Sequence, residues 1–217
     1  MQDFITFLET LKNLSKIPRS GGILFAGIDV TDVDTVAEHS HLTIATTLLL
    51  TKLAIKNNIK IRKSEILEYV ITHDWTELVL LDIPKSSPSY QSYFSEDIKK
   101  IIQDAEKKVN NQISEYLKNA LNIELEEVNL TKIEYSIIKV SDIIALTLEL
   151  LSWKYNGLQY EWLDYMWANQ VKRLTDEINK AKFTFLNNLP KELDITYQYG
   201  KKRTHPFLTK KEYQNFN

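Results

Sequence analysis

The chain has 217 residues, 43% of them hydrophobic and 26% charged, with a formal net charge of −2. That length accommodates one large domain with a substantial core. The near-neutral balance excludes the strong basicity of a dedicated nucleic-acid or anionic-membrane binder. No cysteine is present, which excludes disulfides and thiolate metal sites and fits a reducing compartment. Five glycines and five prolines are too few for a turn-rich β protein. Met1-Gln2-Asp3-Phe4 carries an acid where a secretory signal wants basic charge. The longest apolar stretch, Ile44 to Leu50, is interrupted by Thr46 and Thr47 and is too short to cross a bilayer. The expected setting is cytoplasmic, without membrane or nucleic-acid partners.

Apolar residues recur at spacings of three and four along almost the whole chain, the helical period. Phe4, Phe7, Leu8, Leu11 and Leu14 predict a first helix that stops near Pro18, followed by an Arg19-Ser20-Gly21-Gly22 loop. A second helix opens at a capping box, Thr35 with Glu38 three residues on, and runs towards Leu53 with His39 in its first turn. The third begins at Ser64, passes through Leu67, Val70, Ile71 and Leu78, and stops before Asp82-Ile83-Pro84. Pro84 to Phe94, rich in Ser, Tyr and Pro, reads as a long loop or lid. A helix then opens at Ser95-Glu96-Asp97 and reaches Leu117. Another runs from Thr131 to Tyr155, closed by Asn156-Gly157. The last spans Glu161 to Leu186 and ends before Pro190. The expected fold is one all-α bundle over residues 1–190, with a basic, polar tail over 191–217 that holds Lys201-Lys202-Arg203 and Lys210-Lys211.

Two polar insertions break the apolar pattern. His73-Asp74 interrupts Val70-Ile71 and Leu78-Val79, and Asp142 lies among Ile137, Ile138, Val140, Ile143, Ile144 and Leu146. A buried carboxylate needs a cation or hydrogen-bond donors. With His39 these residues form a mixed set of two imidazoles and two carboxylates, suited to a divalent ion of the Mn, Fe, Co, Ni or Zn type. Neighbouring helical side chains diverge by about 100°, so His73 and Asp74 share an ion only if other helices close a cage around it. Glu77, four residues after His73 and three after Asp74, falls on the same broad face of the third helix.

The words around these residues resemble a known family. Ile17-Pro18-Arg19-Ser20-Gly21, Val36-Ala37-Glu38-His39-Ser40, Thr72-His73-Asp74-Trp75-Thr76-Glu77, Asp82-Ile83-Pro84 and Val140-Ser141-Asp142 occur in that order. Together they resemble the HD-domain metal-dependent phosphohydrolases, in particular the YfbR-type 5′-deoxynucleotidase branch with its HD-domain-containing archaeal and eukaryotic relatives. The resemblance covers about residues 5 to 160. It implies an HD-type helical bundle with an inter-helix site in which His39, His73, Asp74 and Asp142 hold a divalent cation. It also implies a catalytic role for Glu77 together with Asp74, substrate contacts from Arg19 and Asp82, and a homodimer. The implied metal is one of Co, Mn, Ni, Fe, Zn or Mg, and the implied activity is hydrolysis of nucleoside 5′-monophosphates to nucleoside and phosphate.

The residue types suit that chemistry. A divalent ion polarises a phosphoryl oxygen and acidifies bound water. Glu77 can orient that water and move its proton. Arg19 offers a planar fork for phosphate oxygens, and Asp82 can accept a hydrogen bond from a sugar hydroxyl. One departure stands out: relatives place a tryptophan one or two residues beyond the Arg19 position, where this chain has Ser20, Gly21 and Gly22, so weaker deoxyribose selection is expected. The alternatives are an HD hydrolase of a nucleoside triphosphate, cyclic nucleotide or guanosine tetraphosphate, and a non-catalytic metal- or nucleotide-binding module. His41, two residues after His39, is expected on another face of its helix, and the aromatics Trp153, Tyr155, Tyr160, Trp162, Tyr165 and Trp167 are expected in a core or an interface.

Overall fold

The helical period is realised as helices throughout the computed structural model, which describes residues 1–21, 23, 27–83, 96–125, 128–157 and 161–200. The expected lid at Pro84 to Phe94, Gly22, Tyr160 and the basic pairs of the tail lie outside these residues. In chain order the α-helices are α1 Gln2–Lys12, α2 Val36–Lys56, α3 Lys63–Thr72, α4 Glu77–Leu80, α5 Glu96–Leu121, α6 Lys132–Tyr155, α7 Glu161–Ala181 and α8 Leu189–Tyr199. Short 3₁₀ turns at Asn13–Lys16 and Thr184–Leu186 extend α1 and precede α8. Among the described residues there is no strand, only an isolated antiparallel bridge between Pro18 and Thr35. No helix of these residues is long and apolar enough to cross a membrane.

α6 is the central helix. Its side chains Ile137, Ile138, Val140, Ile143 and Ile144 pack with Leu50 and Ala54 of α2, Ile66 and Val70 of α3, and Leu174 and Ile178 of α7. Farther along, Leu150, Leu151 and Trp153 join Ile28, Val33, Leu163, Trp167 and Tyr197 in a second cluster. Burial of a large apolar side chain is worth roughly 1.5–3 kcal/mol, so these clusters are the main stabilising term. Trp153 and Trp167 are core residues, whereas Trp162 and Tyr165 stack edge-on at the surface.

Three sequence expectations change. The third helix is not continuous through His73, Asp74 and Glu77. α3 ends at Thr72, and residues 73–76 form tight turns with amide bonds from Trp75 to Thr72, Glu77 to Asp74 and Leu78 to Trp75. These are three-residue steps, which tighten a helix towards the 3₁₀ form. The cause is local: the Val70 carbonyl accepts a 2.6 Å bond from His73 Nδ1, competing with the α-helical ladder. Trp75 meanwhile packs edge-on against Phe7 of α1.

Second, Ser20 and Gly21 adopt helical geometry instead of open loop, because Asp82 accepts from both the Ser20 amide and hydroxyl. Third, the last expected helix ends at Ala181, where Lys182 takes a positive φ of 57°. Pro190 then starts a helix instead of stopping one, occupying the first turn of α8, where its missing N–H costs nothing. The first nine residues of the expected tail therefore belong to α8, and Tyr197 is buried against Trp167.

Glu134 joins α3 to α6. Its buried carboxylate accepts from the Arg62 backbone amide at 2.8 Å, from Arg62 Nε at 3.0 Å and Nη2 at 2.5 Å, and from the Thr131 amide at 2.8 Å. It thus completes the α6 capping box and ties down the start of α3. The hydrogen bonds from Arg62 hold its pKa down at about 2 against the opposing effect of burial. Because the folded value lies below the unfolded one, this stabilisation is complete above the ordinary glutamate range and is lost as pH falls towards 2. We expect Glu134→Gln to lose about 2 kcal/mol and Thr131→Ala about 1 kcal/mol in urea unfolding at pH 7. The Glu134→Gln deficit should shrink as pH is lowered from 4.5.

Candidate active site

α2, α6, the turn after α3 and the loop after α1 carry the residues of interest. The capping box places Thr35 Oγ1 and Glu38 at the head of α2, which fixes His39 in the first turn with 2% of its surface exposed. His39 Nε2 lies 3.1 Å from Asp142 Oδ1 of α6 and 3.4 Å from Thr43 Oγ1. Asp142 also faces Lys139 Nζ at 3.6 Å. Burial pushes the Asp142 carboxyl up, but the His39 hydrogen bond, with the charges of His39, Lys139 and Arg19, prevails and holds it well below the usual carboxylate range. His41 is exposed, as its spacing implies.

His73 and Asp74 form the second pair. A carbonyl can only accept, so the bond to Val70 places a proton on His73 Nδ1 and turns Nε2 away from the α3 backbone. Nε2 lies 3.1 Å from Asp74 Oδ1. The buried Ser40, next to His39 on α2, has its Oγ 2.5 Å from Asp74 Oδ2 and 2.8 Å from the Val36 carbonyl. Ser40 therefore links the two His–Asp pairs across α2.

The donor types and pair spacing suit a divalent cation. Two ligands about 2.1 Å from one ion at right angles stand about 3.0 Å apart, close to the 3.1 Å of each pair. The structure brings the four residues together as two linked pairs, not as one closed cage. No group of three or more His, Asp or Glu side chains among the described residues is arranged to hold an ion.

Arg19 stands beside this centre. Its amide donates to the Asp34 carbonyl at 2.9 Å and the Val36 amide to the Ile17 carbonyl at 2.8 Å, so a short antiparallel pairing carries it to the head of α2. Burial works against its charge, but Asp82, Glu149, Asp142 and Glu77, in that order of strength, more than compensate and raise its pKa. Even so, among the described residues its guanidinium forms no ion pair or side-chain hydrogen bond with any of them. Glu77, half-buried at the head of α4, is one of these neighbours.

Asp82 latches the Arg19 loop, accepting from Ser20 N at 2.6 Å and Ser20 Oγ at 3.0 Å. One of its oxygens is thus committed within the protein. The preceding residue, Leu81, is held at φ 61° and ψ 177°, a region nearly restricted to glycine.

Three residues of the site had no role in the sequence reading. Ser40 is a plain polar neighbour of His39 in the sequence. Glu149, 3% exposed on α6, did carry a signal: it is an acid beside Leu148, Leu150 and Leu151, two turns past Asp142. Asp34 joins it, donating its amide to Glu149 Oε1 at 3.4 Å, and burial is the main cause of its own raised pKa.

An all-α bundle with an early His, a His-Asp doublet at a helix end and a late Asp on the central helix is an HD-domain fold. The YfbR-like 5′-deoxynucleotidase family model matches residues 6–192, and the chain belongs to that family, which implies a hydrolase. A conserved hypothetical protein from Pyrococcus furiosus shares the fold with a TM-score of 0.62 and 21% identity, over 88% of this chain and 98% of that one. A protein from Pyrococcus horikoshii OT3 does so with a TM-score of 0.60 and 21% identity, over 86% and 98%. No curated protein matches significantly. At that identity the structural neighbours establish the fold alone.

The latch is open to direct test. Asp82→Ala should speed hydrogen exchange at the Ser20 amide about tenfold or more, since a bond to a carboxylate is worth roughly 1.5–3 kcal/mol. Unchanged exchange by NMR would show that the Ser20 turn stands without Asp82.

Proposed function

We propose that this protein is a divalent-metal-dependent phosphomonoesterase that hydrolyses nucleoside 5′-monophosphates to nucleoside and phosphate. The observation that carries the reading is the half-buried Arg19 guanidinium, with no direct partner among the described residues, set beside two His–Asp pairs and Glu77. A planar cation with its donors free is the natural anchor for a phosphate dianion. Family membership supports the reaction class.

His39, His73, Asp74 and Asp142 would hold the cation, and when bound it supplies charge stabilisation for the phosphoryl group and acidifies water. Val70 keeps the His73 ring in the tautomer that presents Nε2, and Ser40 orients Asp74. Glu77 takes the proton of the attacking water and passes a proton to the leaving 5′-oxygen as the phosphorus–oxygen bond breaks. Arg19 aligns the phosphate for in-line displacement. Asp82, with one oxygen on Ser20, keeps the second to face a sugar hydroxyl. The compartment in this reading is the cytoplasm and the assembly a homodimer.

Purified protein given Mn or Co should release phosphate from a panel of nucleoside 5′-monophosphates. His73→Ala should lose bound metal and turnover together. Glu77→Gln should keep metal and lose at least about 100-fold in kcat. Metal-loaded wild type that releases phosphate from no 5′-monophosphate would overturn the reading, and turnover that survives in Glu77→Gln would remove Glu77 from its role.

The small Ser20 and Gly21 themselves provide no bulky wall of the kind a tryptophan at their positions would. kcat/KM for dAMP and AMP should therefore agree within about tenfold. A much larger preference for the deoxynucleotide would place the discriminating wall elsewhere.

A further inference from the structure

Glu149 is a costly residue that the proposed reaction does not use. It projects from the rigid central helix α6, almost fully buried, and accepts one long bond from the Asp34 amide. Asp34 is the residue whose carbonyl receives the Arg19 amide. Glu149 thus grips the outer strand of the pairing that carries Arg19, and it is also the second-strongest attraction on the Arg19 guanidinium. Asp142, two turns earlier and about 10 Å away along the same face of α6, attracts Arg19 less strongly. The guanidinium therefore lies in the field of four carboxylates, Asp82, Glu149, Asp142 and Glu77.

We infer that Glu149 is a positioning residue for Arg19: it holds the Asp34 segment that pairs with the Arg19 backbone and, by its charge, keeps the guanidinium in place to receive a phosphate group. The inference rests on Arg19 as the phosphate anchor. Arginine has large rotamer freedom, and no direct bond among the described residues fixes its head. A buried negative group nearby supplies the restraint without occupying its donors. Such a restraint serves any phosphate group that Arg19 receives and is indifferent to the base.

Holding this carboxyl in the core has a measurable cost. Burial pushes its pKa up to about 7, with Asp34 and Asp82 adding to the rise while Arg19 and the Asp34 amide oppose it. The folded value lies above the unfolded one, so the protein is favoured at low pH and loses stability as pH rises from the ordinary glutamate range through 7.

Glu149→Gln keeps the shape and an acceptor for the Asp34 amide while removing the charge. We expect the Mn-loaded variant to bind inorganic phosphate about tenfold more weakly at pH 8 by calorimetry, with a much smaller loss at pH 6. In the Arg19→Gln background the same substitution should have no further effect. Its melting temperature should exceed that of wild type above pH 7 and match it near pH 4.5, which reports that the variant is folded. If nucleotides are turned over, the change falls on KM and leaves kcat within about threefold.

Equal or tighter phosphate binding by Glu149→Gln overturns the assignment, as does a loss that persists without Arg19, or a wild type that binds no phosphate. Phosphate binding is read whether or not nucleotides are hydrolysed. A wild type that binds phosphate without turnover therefore removes the nucleotidase reading alone.

Discussion

A carboxylate inside an apolar helix bundle must meet a cation or enough donors, or its burial costs several kcal/mol. α6 carries two such groups, Glu134 and Glu149, with the half-buried Asp142 between them, and the rest of the structure is arranged around the three. Glu134 is answered by Arg62 and two backbone amides and fastens α3 to α6. Asp142 is answered by His39 and Lys139 and turns the head of α2 towards the site. Among the described residues, Glu149 has a long amide contact and the field of Arg19. The first is a fully satisfied structural device, and the other two are progressively less satisfied. That gradient runs along one helix from the part that holds the fold to the part that faces chemistry, where polar satisfaction is commonly given up.

Much of this was legible in the sequence because the strongest signals are local. The Thr35/Glu38 box and the Asn156-Gly157 stop mark helix ends through side-chain chemistry that needs no tertiary partner. Asp142 announced itself as an acid in an apolar run. Glu149 carries the same signal, but the family-like words end at Asp142, and a single buried acid without a matching partner in the sequence points nowhere by itself. Its partners, Arg19 and Asp34, are more than a hundred residues away in the chain.

The turn at His73–Thr76 was illegible for a different reason. Apolar spacing cannot distinguish a continuous helix from one tightened for a single turn, since side chains three apart stay on one face in either geometry. What decides is the His73 ring competing for the Val70 carbonyl, and that depends on rotamer, not on pattern. Pro190 is a comparable case: a proline after a long apolar run reads as a stop, and only the positive φ at Lys182 shows that the stop has already occurred.

Leu81 gives the latch on the Arg19 loop an unexpected economy. Its backbone conformation costs about 1–3 kcal/mol for a residue with a side chain, against about 3–6 kcal/mol for the two Ser20 bonds to Asp82. The latch therefore holds by a narrower margin than two short hydrogen bonds to a carboxylate suggest. A glycine at position 81 would remove the opposing strain and lock the loop more firmly, trading ease of opening for rigidity.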